Sequence, residues 1–194
     1  MFNIVELQDV VRIDPEHFDK SVSEAAKLIL KGKYESIISP ELGYSILILN
    51  VKADLNGKVI AGDGATYHHV IFNILTYLPK VQEIIEGDVV EITDFGAFIR
   101  VGPTDALLHL SQITDDYLSS DVRQGILTAN ESGRTIKVGT KIRARITAVS
   151  LGRGASMGKV GVTCRQPFLG ALDWIEEDIN KTLKSNKSKD KNKE

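Results

Sequence analysis

The chain has 194 residues, of which 42% are hydrophobic and 26% are charged, with a formal net charge of -2. This composition excludes wholesale disorder, and the length fits one large domain or two small ones. The sequence has no apolar run near the ~20 residues of a membrane span, no signal-peptide pattern and only one cysteine, so we expect a soluble, cytoplasmic protein without disulfides.

Charge is distributed unevenly along the chain. Residues 83–121 hold nine acidic residues and one basic residue, whereas residues 123–172 hold nine basic residues and one acidic residue. Six further lysines lie within residues 181–194. The net charge argues against indiscriminate coating of nucleic acid, while the basic region can form a local cationic surface.

The first predicted elements are a strand and a helix. Residues 2–13 alternate apolar and polar side chains, which predicts a strand. Ser21 and Glu24 have the spacing of a capping box, so a helix is expected to begin there and to reach about Tyr34.

More strands follow in the first half of the chain. Residues 46–53 are apolar on both faces, which predicts a central strand. The turn residues at 54–57 predict a hairpin into residues 58–61. Residues 66–78 are rich in β-branched and aromatic side chains and predict a long strand. The first half is therefore predicted to be an α+β domain.

The second half predicts five short strands, with a long connection between the third and the fourth. A small closed barrel of the OB type has this pattern. Residues 111–121 are polar and are expected to be irregular. The predicted strands are residues 84–92, 97–101, 106–108, 141–149 and 159–164.

Catalytic and metal-binding patterns are largely missing. Residues 152–159 lack the glycine and the hydroxyl residue of a phosphate-binding loop and are interpreted as a mobile connection. His68 and His69 are adjacent on a strand and point to opposite faces, so they cannot share a metal ion. Cys164 is interpreted as a buried structural thiol, and the pair Asp115 and Asp116 as turn-capping residues. We expect no catalytic residues, no metal and no cofactor.

The remaining candidate is a surface that binds single-stranded RNA. Aromatic rings stack on bases of any sequence, and a few cations hold phosphates weakly enough for a strand to move. Phe98 alternates with apolar neighbours, so the pattern leaves it open whether this ring stacks on RNA or faces the core. The candidate RNA-binding residues are Phe95, Phe98, His109, Arg143 and Arg145.

Several motifs occur together in a fixed order. Residues 87–100 (GDVVEITDFGAFIR), followed by residues 108–113, resemble the OB-fold RNA-binding repeat of the largest protein of the bacterial small ribosomal subunit. Four further segments extend the resemblance, and from Met1 to about Glu177 the chain resembles the E-prime family of archaeal RNA polymerase stalk proteins. That family is similar to the seventh-largest subunit of eukaryotic RNA polymerase II. The additional segments are residues 9–13, 62–68, 111–117 and 165–170.

The resemblance implies a two-domain architecture. A truncated RNP-like α+β domain at residues 1–81 is expected to precede an all-β, five-stranded OB barrel with a C-terminal extension at residues 82–180. Residues 181–194 are expected to form a disordered, lysine-rich tail.

The resemblance also implies partners. The chain is expected to be a non-catalytic polymerase subunit that forms a heterodimer with the small helical component of the stalk, designated F. It is further expected to dock on the polymerase core near the clamp and to bind emerging single-stranded RNA. A free-standing OB-fold factor of translation or RNA decay is the alternative, and an enzyme is a third interpretation that the missing site patterns disfavour.

Two further residue sets are predicted to be interfaces. The first is a core-docking loop at the tip of the N-terminal domain, where two glycines surround one carboxylate that could meet a basic crevice. The second is an apolar C-terminal segment expected to contact the small stalk partner, together with the domain junction at residues 78–86. The first set is Gly62, Asp63, Gly64 and Ala65, and the second is Phe168, Leu169, Leu172, Trp174 and Ile175.

Overall fold

The structure is a computed structural model and describes residues 1–152 and 158–190, with side chains as far as residue 182. The chain divides into two compact units. The first comprises Met1–Leu78 with Leu151–Gly158, and the second comprises Pro79–Ser150 with Lys159–Glu194. Most of the connection predicted to be mobile, residues 153–157, lies outside the described residues.

The first unit is an antiparallel sheet with one helix. The strands follow the order β1-β5-β3-β2, and β4 pairs with the free part of β5. Its elements are β1 (Phe2–Ile13), α1 (Val22–Tyr34), β2 (Ile38–Ser39), β3 (Gly43–Ala53), β4 (Lys58–Val59) and β5 (Thr66–Tyr77).

The predicted capping box begins α1. The Ser21 side chain accepts a hydrogen bond from the Glu24 backbone, and the Glu24 carboxylate accepts one from the Ser21 backbone. The helix buries Leu30 against one face of the sheet, where Phe72 and Ile74 lie in the same core. Replacing Leu30 by alanine is expected to cost about 2–5 kcal/mol, because a fully buried leucine leaves a cavity.

The hairpin predicted at residues 54–57 does not form. After this turn the chain continues along the same edge of β5, so that Ala53 pairs with Val70 and Lys58 pairs with Tyr67. The turn packs tightly, since a Cβ at Gly57 would lie 2.6 Å from the His68 ring. β3 and β4 therefore pair with successive parts of the same edge of β5, and the turn between them does not reverse the direction of the chain.

The second unit is built on the predicted closed barrel. Five strands close in the order β6-β7-β8-β13-β12 and back to β6, and β14 pairs with the beginning of β12. The two units together have the predicted fold class. The barrel strands and β14 are β6 (Ile84–Thr93), β7 (Gly96–Val101), β8 (Thr104–His109), β12 (Lys141–Ser150), β13 (Lys159–Thr163) and β14 (Gly170–Ala171).

The long connection between β8 and β12 contains more structure than the sequence predicts. It forms a three-stranded sheet of β9 (Leu118–Asp121), β10 (Ile126–Ala129) and β11 (Thr135–Lys137). Residues 111–121 are thus not irregular throughout, because β9 completes this sheet. Strands of three or four residues are too short to show a clear alternating pattern.

The chain ends in a helix that extends into the segment predicted to be a disordered tail. α2 runs from Leu172 to Asp190, whereas the sequence predicts disorder from residue 181. Extending a helix that has already formed adds one hydrogen bond per residue, and lysine is a good helix former. The last four residues lie outside the described part of the chain.

Candidate nucleic-acid interface

Two phenylalanines lie at the turn between β6 and β7. Phe95 is in the turn and is 48% exposed. Phe98 is half-buried on the outer face of β7, because its neighbours Ala97 and Ile99 are buried inside the barrel. The rings meet edge to face, with centroids 6.2 Å apart and planes at 87°. Phe98 is therefore not a core residue, and both rings contribute to the outer surface.

His109 ends β8 directly across from Gly96 and is exposed. A Cβ at Gly96 would lie 2.3 Å from the Leu108 carbonyl oxygen, so only glycine allows the strands to approach this closely. The backbone N–H of Ser111 donates to His109 Nδ1 at 3.2 Å. The Ser111 hydroxyl oxygen lies 2.9 Å from the same nitrogen, so Ser111 fixes the position of the ring. We call Phe95, Phe98 and His109 the aromatic end of the barrel.

A cavity of about 620 Å³ opens beside His109. Tyr117, which is 78% exposed, and Arg165 both line it. Arg165 forms an ion pair with Asp115, 50 residues earlier in the chain. Tyr117 and Arg165 were not predicted as binding residues, since only the fold brings them together. The available signal was one aromatic residue in an otherwise polar segment.

The Asp116 carboxylate joins two segments of the chain beside this cavity. Its carboxylate accepts hydrogen bonds from the backbone of Glu131 at 3.1 Å and of Ser132 at 2.9 Å. These backbone donors, that of Ser132 foremost, hold the pKa of Asp116 below its ordinary value. Asp116 caps a turn, as the sequence predicts, and is not placed for acid–base chemistry.

The two predicted arginines lie away from the aromatic end. Arg143 pairs across the sheet with Glu86, and Phe98 pairs with Glu91, about 17 Å further along β6. Arg143 Nε donates to the Glu86 carboxylate at 2.7 Å, so its charge is already paired. Strands of a closed barrel are staggered, so β12 pairs with the first half of β6 and β7 with the second.

Arg145 also points away from the aromatic end. Its guanidinium contacts Gln82, with 3.5 Å between Nη1 and Oε1, on the β6 side of β12. Its buried Nε has no hydrogen-bond partner among the described residues. The predicted set of five residues therefore separates into the three of the aromatic end and two arginines elsewhere on the barrel.

The loop at residues 60–65, which we call the tip, connects β4 to β5. Arg12 binds the Asp63 carboxylate through two hydrogen bonds of 2.9 Å and 2.7 Å. The Tyr67 hydroxyl donates to the same carboxylate at 2.7 Å, and the backbone of Ala65 donates at 3.2 Å. Arg12 foremost, and Tyr67 next, hold the pKa of Asp63 well below its usual range.

The single carboxylate predicted at the tip therefore has partners within its own unit. Asp63 is already paired with Arg12, which lies 51 residues earlier and also pairs with Asp14, and Ala65 is fully buried. Gly62 adopts φ +88° with no atom within 4 Å of a Cβ at that position, and this positive φ favours glycine. The tip is therefore a fixed, internally bonded loop.

The C-terminal segment predicted to contact the small stalk partner is only partly exposed. Phe168 is 68% exposed and holds a left-handed backbone at φ 63°, which costs a non-glycine residue of order 1–3 kcal/mol. Ile175 is only 7% exposed, because the first turn of α2 packs on the barrel. Trp174 is half-buried beneath Arg134, whose guanidinium carbon lies 5.4 Å from the ring centroid. Leu169 and Leu172 are half-buried.

The other chemically reactive side chains have structural surroundings. Both ring nitrogens of His68 are hydrogen-bonded, one to the Asp54 carbonyl at 2.7 Å and the other to the Thr66 hydroxyl at 3.1 Å. Cys164 is buried, which raises the pKa of its thiol to about 12. Within residues 1–152 and 158–190, no group of three or more histidine, cysteine or acidic side chains is arranged to hold a metal ion.

The described helices are also too short or too polar to cross a membrane.

Two family models match the two halves of the chain. The model described as "SHS2 domain found in N terminus of Rpb7p/Rpc25p/MJ0397" matches residues 8–64. The model described as "S1 RNA binding domain" matches residues 78–159.

Two curated relatives match nearly the whole chain, and a third matches half of it. The DNA-directed RNA polymerase subunit Rpo7 of Sulfolobus acidocaldarius is 41% identical over 184 residues, which cover 95% of this chain and 100% of that protein. The Rpo7 subunit of Saccharolobus solfataricus is 41% identical over 177 residues, or 91% and 98% of the two chains. The RNA polymerase III subunit RPC8 of Saccharomyces cerevisiae is 30% identical over 96 residues, or 50% and 45% of the two chains.

Proposed function

The chain belongs to the Rpo7 family of DNA-directed RNA polymerase subunits, and on that premise we propose that it is the non-catalytic stalk subunit that holds emerging RNA. In this role the chain pairs with the small helical stalk partner and docks on the polymerase core near the clamp through its tip. The aromatic end of the barrel then binds single-stranded RNA without sequence preference.

One observation carries the RNA-binding part of the proposal. Phe95 and Phe98 form an outward aromatic pair on the barrel, beside an exposed histidine. Stacking of one base on an aromatic side chain is worth about 1–3 kcal/mol and accepts every base. Two rings and a hydrogen-bonding histidine are enough for weak retention of a single strand.

The distribution of cations supports weak rather than tight retention. Arg143 is paired with Glu86, and Arg165 is paired with Asp115, so each of these two guanidinium groups must exchange a carboxylate for a phosphate before it can bind RNA. With about one to three phosphate contacts at ~0.7 each, the log–log salt slope for a single strand should lie between about −0.7 and −2. A strand held mainly by stacking can be pulled through as synthesis proceeds.

The tip supports the docking part of the proposal by its shape. Arg12 and Tyr67 satisfy the Asp63 carboxylate, so a partner would meet a small, pre-formed loop that needs little ordering on binding. Docking of this kind depends on backbone approach and complementarity more than on a free charge.

Phe168 supports contact with a second chain. A large exposed aromatic residue in a left-handed backbone conformation is stabilised neither by burial nor by its own dihedral preference. Aromatic residues of this kind are typical anchors of protein interfaces. We assign Phe168 and the half-buried Leu169 to the contact with the small helical stalk partner.

Affinity purification of the tagged full chain from its native host tests the proposal. The large polymerase subunits and the small helical stalk partner should co-elute at moderate salt and in the presence of ribonuclease. Elution with ribosomes or RNA-decay enzymes, and without polymerase subunits, would instead support a free-standing RNA-binding factor.

A further inference from the structure

Tyr117 has a rigid backbone and a free ring. Its carbonyl oxygen accepts a hydrogen bond from the Asn130 backbone at 2.9 Å. The preceding residue, Asp116, is fixed by the backbone donors of Glu131 and Ser132. The side chain is nevertheless 78% exposed. Among the described residues of this unit, the Tyr117 ring therefore contributes little to packing.

The ring faces a cavity that already adjoins the aromatic end. The cavity of about 620 Å³ is lined by Tyr117 and by Arg165, and it reaches His109. His109 pairs with Gly96, the residue after Phe95, so the cavity continues the surface on which we place the RNA. Its volume falls within the range of small-molecule sites in proteins.

We propose that this cavity is an additional subsite for one nucleotide of single-stranded RNA, with the base on the Tyr117 ring and the phosphate on Arg165. The inference rests on the proposed RNA-binding function and adds a specific site to it. The insertion that contains β9, β10 and β11 thereby lengthens the RNA-binding surface by one base.

Arg165 can serve both Asp115 and a phosphate. The ion pair is exposed on both sides, and such pairs hold their members only weakly. A phosphate can therefore replace the Asp115 carboxylate on the guanidinium, which binds phosphate through two parallel hydrogen bonds.

The acidic residues around the cavity set the strength of the subsite. Asp116 is occupied by the turn at Glu131 and Ser132, while Asp115 competes directly with a phosphate for Arg165. These two carboxylates and that of Glu131, which also lines the cavity, repel phosphate. The subsite is consequently weak in the wild-type protein, and its affinity depends on stacking more than on charge.

Substitutions of Tyr117 test the stacking. The binding of short fluorescent oligouridylate and oligoadenylate to the full chain is measured by anisotropy for Tyr117→Ala, Tyr117→Phe and Phe95→Ala. Tyr117→Ala should lower the affinity about fivefold or more, the low end of one stacking contact, with the larger loss for oligoadenylate. Tyr117→Phe should bind like the wild type, because the ring remains. Val122→Ala, an exposed apolar residue on the same insertion, is the matched control and should change nothing.

Asp115→Asn tests the phosphate contact in the opposite direction. The substitution releases Arg165 and removes a negative charge, so the affinity should rise by about two- to threefold with a steeper salt dependence. Arg165→Ala should abolish this gain. Thermal unfolding followed by circular dichroism confirms that each variant is folded.

The outcomes separate this inference from the proposed function. If Phe95→Ala weakens binding and Tyr117→Ala does not, the subsite is absent while the aromatic end still binds RNA. If both Tyr117 variants bind weakly, the hydroxyl rather than the ring is responsible and stacking is wrong. If the wild type binds no oligonucleotide, the RNA-binding function itself fails.

Discussion

The tip of the first unit and the aromatic end of the second unit present different chemical groups to a binding partner. At the tip, the Asp63 carboxylate is occupied by Arg12, Tyr67 and the Ala65 backbone. At the aromatic end, the Phe95 ring is half exposed and packs edge-on against Phe98. Because the polar groups of the tip are already hydrogen-bonded, a partner can recognise the tip mainly by its shape. The exposed Phe95 ring instead offers a surface on which a base can stack.

The difference matters because the two kinds of partner need different chemistry. A protein surface that receives a fixed loop loses little entropy on binding and gains specificity from fit. A moving RNA strand offers a new base at each step, so its binding surface must accept every base. The two regions are thus suited to a stable partner and to a transient one.

Phe95→Ala is expected to have the largest effect, which is a loss of RNA affinity. Loss of the exposed ring removes a stacking partner, so the affinity for single-stranded RNA should fall about tenfold or more. Filter binding or anisotropy on the full chain measures it. Phe18→Ala is a suitable control, because Phe18 is also an exposed phenylalanine but lies in the first unit. Equal losses in both variants would remove the special role of the aromatic end.

Asp63→Arg should have the next largest effect, and on a different partner. The substitution places a second cation beside Arg12 and breaks the bonds that fix the tip. Retention of core polymerase by the purified heterodimer should fall, while heterodimer formation and RNA affinity stay unchanged. Asp19→Arg makes the same charge change at another exposed position of the first unit. Wild-type retention by Asp63→Arg would show that the tip is only a turn.

Titration of Asp63 with acid should have a smaller effect, which is on the stability of the folded chain. The pKa of Asp63 is lowered in the folded chain, so its stabilising contribution is complete above the ordinary aspartate pKa of about 3.9. It is lost progressively as the pH falls from about 3.9 through the lowered folded value. Carbon NMR of the Asp63 carboxyl group should therefore show it still ionised at about pH 3. Titration near the ordinary value would contradict the contacts with Arg12 and Tyr67.

Arg143→Ala should have the smallest effect. Its guanidinium is paired with Glu86 and lies about 17 Å along β6 from the position of Phe98. RNA affinity should change by less than about twofold, the size expected for an exposed and already paired charge. Loss comparable to that of Phe95→Ala would place the strand binding across β12 instead.

The elements that local chemistry determines could be predicted from the sequence. The alternation in β1 and the capping box of Ser21 and Glu24 each act over a few residues, and both were predicted correctly. The strand count of the barrel likewise follows from short apolar runs and turns. The position of β4 was predicted incorrectly, because a turn sequence does not determine which strand comes next to it.

The site was predicted less completely because it depends on long-range register. The separation of Arg143 from Phe98 follows from the stagger of the closed barrel, which no local pattern encodes. The ion pair of Asp63 with Arg12 joins residues 51 apart, and that of Arg165 with Asp115 joins residues 50 apart. Such contacts arise only when the sheets have formed.

Photocrosslinking of RNA to the intact polymerase tests the central claim most directly. A stalled transcription complex carries a photoreactive uridine in the emerging transcript, and the crosslinked peptides of this chain are identified by mass spectrometry. Crosslinks should map to residues 95–98 and 109–117, at the aromatic end and its neighbouring cavity. Crosslinks concentrated on residues 141–145, or an absence of crosslinks to this chain, would contradict the account.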